Sequence, residues 1–199
     1  GRSRSVPPLV RVPSRPAGLE AIVETAGCRR YSFAMLADLS SGDLARVTGA
    51  YPADLDADGR LDILVANQFS NTVEVILAQS NAVSSVQSPV PIGEDVIGLV
   101  TAKFDLRDTL DLAVVTQRPD FNPGSSSNAL HILLGNGAGG FVPHATYALT
   151  NPPTDVLTGD FNGDGQGDLV VLMTLFGQAQ TFIGSGNGTF TPTPILLTF

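Results

Sequence analysis

The hydrophobic pattern of the chain is that of short strands separated by polar turns. The segment "DLVVLMT" at 168–174 is a nearly continuous apolar run, which predicts a strand buried on both faces. "DVLTGDF" precedes it, and "AQTFIGS" and "TFTPTPILLTF" follow it as further predicted strands. The turn "GNG" at 186–188 calls for positive φ angles, and the prolines of the last segment suit an outer edge. One short helix is predicted, at 16–27.

Internal repeats organise most of the chain. "DLDADGRLDILVA" at 54–66 recurs as "DFNGDGQGDLVVL" at 160–172, with a weaker copy, "KFDLRDTLDLAVV", at 103–115. The final aspartates of the copies, Asp62, Asp111 and Asp168, are 49 and 57 residues apart (111 − 62 and 168 − 111), the size of a four-stranded unit. We therefore predict three repeats, at about 47–90, 91–149 and 150–199, preceded by a partial unit at 31–46.

The pattern D-x-D-x-D-G-x-x-D predicts calcium binding. A tight loop directs the side chains of positions 1, 3, 5 and 9 at one centre, position 7 adds a backbone carbonyl, and glycine at position 6 permits the turn. Ligation by oxygen alone, mostly from carboxylates, is typical of calcium and suits magnesium less well. The alternative is an acidic turn whose carboxylates are only solvated. The recurrence of the same pattern at the same spacing in two copies disfavours it. The predicted ligands are Asp54, Asp56, Asp58, Asp62 and the carbonyl of Arg60 in the first loop, and Asp160, Asn162, Asp164, Asp168 and the carbonyl of Gln166 in the last.

The middle copy departs from this ligand pattern. Lys103 and Arg107 replace the acids at positions 1 and 5, while Asp105 and Asp111 remain at positions 3 and 9. One interpretation is a degenerate site in which a basic side chain neutralises the two acids where an ion was once bound. The other is a drifted loop whose charges all face water.

The repeats resemble a known family. The acidic loop, followed by "LLGNGAGGFVP" at 133–143 and "FIGSGNGTFTP" at 182–192, is similar to the FG-GAP/VCBS repeat. That repeat builds calcium-bearing β-propeller blades in integrin α-chain heads and in many secreted bacterial proteins. The resemblance implies an all-β fold for 31–199, an incomplete or small propeller of three to four four-stranded antiparallel blades. It also implies a structural role for calcium and an extracellular or cell-surface location.

Composition separates the start of the chain from the rest. The chain has 19 acidic residues against 11 basic ones, which disfavours nucleic acid as a partner, and no apolar run is long enough to span a membrane. Residues 1–30 are instead rich in proline and arginine and predict an extended arm. Such an arm could lie along a blade edge of its own subunit or of a neighbour. Its first half carries four cationic residues, Arg2, Arg4, Arg11 and Arg15.

Catalytic motifs are absent, so we expect a protein that is not an enzyme. His131 and His144 have no nucleophile in a recognisable motif nearby, and the single cysteine, Cys28, cannot form an intramolecular disulfide. The favoured function is a calcium-binding structural or adhesive module that binds a protein partner or assembles through its arm into a homo-oligomer, such as a head-to-tail filament. A glycan-binding accessory domain is the alternative, although the chain has no Trp and three Tyr. Asn187 begins an N-glycosylation sequon.

Overall fold

The computed structural model describes residues 47–68, 70–79, 85–117 and 128–197. The predicted arm at 1–30, its short helix and the partial unit at 31–46 lie outside the described residues. Within the described part, the chain is built from antiparallel strands and one 3-10 turn at Thr174–Phe176. No helix in that part is long and apolar enough to cross a membrane.

The strands form three separate antiparallel sheets that follow one another along the chain. Sheet 1 contains β1 (Val47–Ala53), β2 (Asp62–Asn67), β3 (Thr72–Leu77), β4 (Ser85–Val86) and β5 (Val90–Pro91). Sheet 2 contains β6 (Asp95–Ala102), β7 (Asp111–Gln117), β8 (Asn128–Gly135) and β9 (Phe141–Leu149). Sheet 3 contains β10 (Asp155–Gly159), β11 (Asp168–Met173), β12 (Gln178–Gly184), β13 (Phe190–Pro192) and β14 (Leu196–Leu197). The predicted all-β class, with antiparallel sheets of about four strands, is confirmed.

The outermost strand of sheet 3 differs from the prediction of one continuous strand. It is divided into β13 and β14, which both pair with β12. The ladder continues one step beyond β13, where the Thr193 amide donates to the Thr181 carbonyl over 2.8 Å. Pro194 follows and has no N–H to donate, so the ladder is interrupted there. Sheet 1 has the same arrangement, because β4 and β5 both pair with β3.

Two hydrophobic cores lie between neighbouring sheets. The first joins sheets 1 and 2 through residues such as Leu64, Val75, Leu99 and Leu112. The second joins sheets 2 and 3 through residues such as Val115, Ile132, Leu169 and Phe182. The first strands β1, β6 and β10 are neighbours in that order. The sheets therefore stack in chain order, and we call the side of each sheet that points toward the next its trailing face.

Strand β11 is less buried than its apolar sequence predicts. Val170 and Leu172 are half-buried, whereas the equivalent residues of sheet 2, Ala113 and Val115, are fully buried. Ala113 and Val115 belong to the core that sheet 2 shares with sheet 3. Among the described residues no sheet follows sheet 3, so burial on both faces is incomplete there.

Candidate metal centre

The loop between β1 and β2 brings three carboxylates together. One carboxylate oxygen from each of Asp54, Asp56 and Asp58 lies within 4.8 Å of those of the other two. Within the part of the chain that the structure describes, this is the one place where three acidic, histidine or cysteine side chains gather so closely. The β-hairpin holds both ends of the loop, since Ala53 pairs with Asp62 across β1 and β2.

Backbone amides hold these carboxylates in place. The Asp58 N–H donates to Asp54 Oδ1 over 3.1 Å, and the Gly59 N–H donates to Asp54 Oδ2 over 3.0 Å. The Arg60 N–H donates to Asp58 Oδ1 over 2.8 Å, and the Arg60 guanidinium bonds to Asp58 Oδ2. Gly59 has a φ of +82°, the left-handed conformation predicted for loop position 6. The loop thus uses N–H dipoles to offset the repulsion between Asp54, Asp56 and Asp58.

Asp62, the predicted ligand at position 9, has a different environment. It is fully buried, and its Oδ2 and Oδ1 accept hydrogen bonds of 2.8 Å from the N–H groups of Leu55 and Ala78. Burial raises the pKa of its carboxyl, the two amides lower it, and the nearby carboxylates of Asp56 and Asp54 raise it further. Asp62 is therefore close to the cluster, but it is not one of the carboxylates that lie within 4.8 Å of one another.

The loop between β10 and β11 repeats this geometry at a more exposed position. Asp160 Oδ2 accepts from the Gly165 N–H over 2.9 Å, and this amide is the largest cause of a lowered pKa at Asp160. The Asn162 side-chain amide donates to Asp164 Oδ2 over 2.8 Å, and the Gln166 N–H donates to Asp164 Oδ1 over 2.7 Å. The Asp164 N–H also donates to Asp160 Oδ1 over 3.1 Å and to Asn162 Oδ1 over 2.9 Å, so hydrogen bonds connect all three residues. The last loop has fewer carboxylates than the first.

In the middle loop the ligand positions are occupied by ion pairs. Arg107 Nε donates to Asp105 Oδ2 over 2.6 Å, and the Lys103 ammonium bonds to Asp108 Oδ1. A basic side chain thus lies against the acid at position 3, and a second lies against the acid that replaces the glycine of position 6. A cation-binding cluster of three acids does not form among the described residues of this loop.

The acid at position 9 has the same bonds in all three loops, whether or not the loop keeps the other ligand positions. Asp111 is fully buried and accepts 2.9 Å hydrogen bonds from the N–H groups of Phe104 and Gly135. The equivalent bonds of Asp168 come from Phe161 at 2.9 Å and Gly184 at 2.8 Å. Each acid therefore connects loop position 2 to the end of the third strand of its sheet. Sequence reasoning missed this role, although the survival of Asp111 in the degenerate copy was a signal for it.

Other predicted residues lie away from the loops' carboxylates. Asn187 is exposed, and its Oδ1 accepts from the Thr189 N–H and hydroxyl over 3.0 and 2.6 Å. His131 lies in sheet 2 between the hydroxyls of Thr116 and Thr146, at 3.1 and 3.2 Å. Burial lowers the pKa of His131, and Glu94, whose carboxylate is 3.8 Å away, opposes that shift.

Comparison with known proteins identifies the class of the repeat. Residues 104–171 match the model of the FG-GAP-like repeat, so the predicted resemblance is confirmed in this part of the chain. Among solved structures, the chain is similar to BBS1N in a crystal structure of its complex with ARL6DN, soaked with lead. The identity is 13% and the TM-score 0.43, over 77% of this chain and 55% of that one. No curated protein sequence matches the chain significantly.

Proposed function

We propose that the chain is a calcium-binding structural or adhesive module without catalytic activity, secreted or displayed at the cell surface. The observation that carries the proposal is the convergence of Asp54, Asp56 and Asp58 within 4.8 Å, on a loop whose amides fix their orientation. The similarity of residues 104–171 to the FG-GAP-like repeat supports the structural role.

The donor set fits calcium. The first loop offers three clustered carboxylates, which is hard oxygen ligation in a turn short enough to surround a large cation. Asp160, Asn162, Asp164, Asp168 and the carbonyl of Gln166 would hold a second ion in the last loop. Bound calcium would neutralise the carboxylates and so stabilise the folded loops. Because Asn162 replaces an acid, we expect the first loop to bind more tightly than the last.

Metal analysis of the full chain tests the proposal. After treatment with chelator and titration with calcium, the wild-type protein should bind two ions per chain. Asp58→Ala should bind one, because it removes a carboxylate from the first cluster and leaves the last loop intact. Asp108→Ala is the matched control, since this exposed loop acid belongs to no cluster, and it should still bind two. Two ions in Asp58→Ala would refute the assignment of the first site.

Calcium should also stabilise the fold. An ion that binds only the folded state stabilises it by about 2.7 kcal/mol at a hundredfold excess over Kd. For a domain of this size, that corresponds to about 5–10 °C in Tm. We expect chelator to lower the melting temperature by that order. An unchanged melting curve would contradict a structural role for the ion.

Self-assembly is the second part of the proposal. The arm at 1–15 is basic and the chain as a whole has a formal charge of −8, so an arm that reaches another subunit gains electrostatic complementarity. Deleting residues 1–15 should convert ordered oligomers into monomers or aggregates, as measured by light scattering. A truncated protein with an unchanged size distribution would contradict this, and a monomer that binds glycans would favour the glycan-binding alternative.

A further inference from the structure

The trailing face of sheet 3 is apolar and open to solvent. Five of the eight large hydrophobic side chains exposed in the described part of the chain belong to sheet 3 and its loops: Leu157, Phe161, Leu175, Phe176 and Leu196. Phe161, at position 2 of the last acidic loop, is 53% exposed, and Leu157 on β10 is 47% exposed. Such a concentration of apolar surface at one end of a molecule is typical of a binding site.

The equivalent residues of sheets 1 and 2 are covered by the sheet that follows each of them. Leu55, at position 2 of the first loop, is 4% exposed and packs in the core shared with sheet 2. Phe104, at position 2 of the middle loop, is 2% exposed, and its ring contacts Phe190 of sheet 3 edge to face at 5.3 Å. The Gly188 N–H also donates to the Phe104 carbonyl over 2.8 Å. The face around Phe161 is thus a third copy of an interface that is filled twice within the chain.

The charge of sheet 3 restricts what can cover it. Residues 150–199 contain four aspartates and no Lys, Arg or His. Asp160 and Asp164 are exposed on either side of Phe161 along the loop. The same face of a second molecule would bring these acids together, and like charges in an interface are unfavourable. The occupant should therefore be apolar and cationic.

We propose that the N-terminal arm of a second copy of this chain, residues 1–16, docks on the trailing face of sheet 3. The arm combines the required properties, because Val10 and Val12 alternate with Arg11 and three further arginines lie within the first 15 residues. An arm docked as an extended segment would place Val10 and Val12 on one side, against Phe161 and Leu157, and Arg11 on the other. Arginine side chains at the rim would meet the carboxylates of the last loop.

The order of the sheets allows a second copy to supply the arm. The arm precedes sheet 1, which lies at the opposite end of the stack from the trailing face of sheet 3. In a head-to-tail row, the arm of one molecule meets sheet 3 of its neighbour, which is a heterologous contact. This inference rests on the self-association part of the proposed function. Its arginine contacts share Asp160 and Asp164 with the proposed second calcium site, so calcium in the last loop should weaken them.

Sedimentation of the full chain, in calcium and in chelator, with a synthetic peptide of residues 1–16 as competitor, tests the proposal. We expect oligomers that an excess of the peptide converts to monomers, and a peptide with its arginines replaced by glutamine should be a weaker competitor. Phe161→Ser should weaken self-association by about tenfold or more. Leu106→Ser is the matched control, because Leu106 is 90% exposed in the middle loop and has no part in the trailing face of sheet 3. A thermal melt of each variant confirms that it is folded.

The outcomes separate the possible errors. Oligomers that resist both the peptide and Phe161→Ser would refute this docking site while leaving self-association intact. A monomer at every concentration would refute docking between copies, with the calcium assignment still decided by metal analysis. Equal weakening by Phe161→Ser and Leu106→Ser would also refute the proposal, because the effect would then not be specific to the face.

Discussion

Replacing Asp111 by alanine should destabilise the protein strongly although this residue lies in the loop without a metal-ligand set. Its buried carboxylate accepts hydrogen bonds from the N–H groups of Phe104 and Gly135, both at 2.9 Å. The first bond closes the acidic loop, and the second attaches the loop to the end of β8. Alanine can replace neither acceptor, so two buried donors lose their partners.

The magnitude follows from these two bonds. A hydrogen bond to a charged group contributes about 1.5–3 kcal/mol, so the pair contributes about 3–6 kcal/mol. Removing a buried charge recovers part of its desolvation cost, which places the expected loss near the lower end, about 3 kcal/mol. A domain of this size loses about 2–4 °C in Tm per kcal/mol. We therefore expect a decrease of about 6–12 °C.

Thermal and denaturant unfolding of the full chain, in calcium and in chelator, would measure the effect. The loss should be equal in both solutions, because Lys103 and Arg107 occupy ligand positions of this loop. Asp111→Asn should lose most of the same stability. The asparagine side chain offers one acceptor oxygen, and its NH2 group would face the second backbone N–H, which also needs an acceptor. Asp108→Ala is the control, and its 92% exposed side chain should leave the melting temperature unchanged.

Two results would refute this reasoning. If Asp111→Ala melted within about 2 °C of the wild type, the two hydrogen bonds would not stabilise the loop to the extent expected. If its effect appeared only in calcium, Asp111 would act through a bound ion instead of through the backbone amides of Phe104 and Gly135.

Two further predictions concern single residues. Burial lowers the folded-state pKa of His131 below its usual 6.5, so as the pH falls the unfolded chain takes up a proton before the folded chain does. The contribution of this group to stability is therefore full above pH 6.5 and decreases below it. His131→Gln should flatten that part of a plot of unfolding free energy against pH, and an unchanged slope would refute the assignment. Gly135→Ala would place its Cβ 2.0 Å from the Leu110 carbonyl oxygen and should lower the free energy of unfolding by about 1–3 kcal/mol or more, as measured in denaturant. Gly163→Ala, which meets nothing within 4 Å but has a φ of +79°, should lose only about 1 kcal/mol, and equal losses would contradict the steric explanation.

The local features of this protein could be predicted from sequence because local chemistry determines them. Strands β10, β11 and β12 lie where short apolar runs predicted them, since the flanking Asp and Gly residues end each run. The cluster of Asp54, Asp56 and Asp58 spans five residues, so one tight turn is enough to bring the carboxylates together. Gly59 and Gly165 share a φ of +82° for the same reason, because the turn requires a left-handed residue at that position.

Contacts between distant residues decided what the sequence could not. The sequence pattern predicts the acid at position 9 as a fourth ligand. It does not show that Asp62 also bonds to Ala78, 16 residues away, through a pairing that forms only when the sheet is assembled. The residues at loop position 2 are all large and apolar, but Leu55 and Phe104 are 4% and 2% exposed whereas Phe161 is 53% exposed. The burial of the residue at position 2 depends on whether another sheet packs against the trailing face. No local sequence pattern specifies that contact, because the hydrophobic effect depends on how much surface the folded neighbours remove from water.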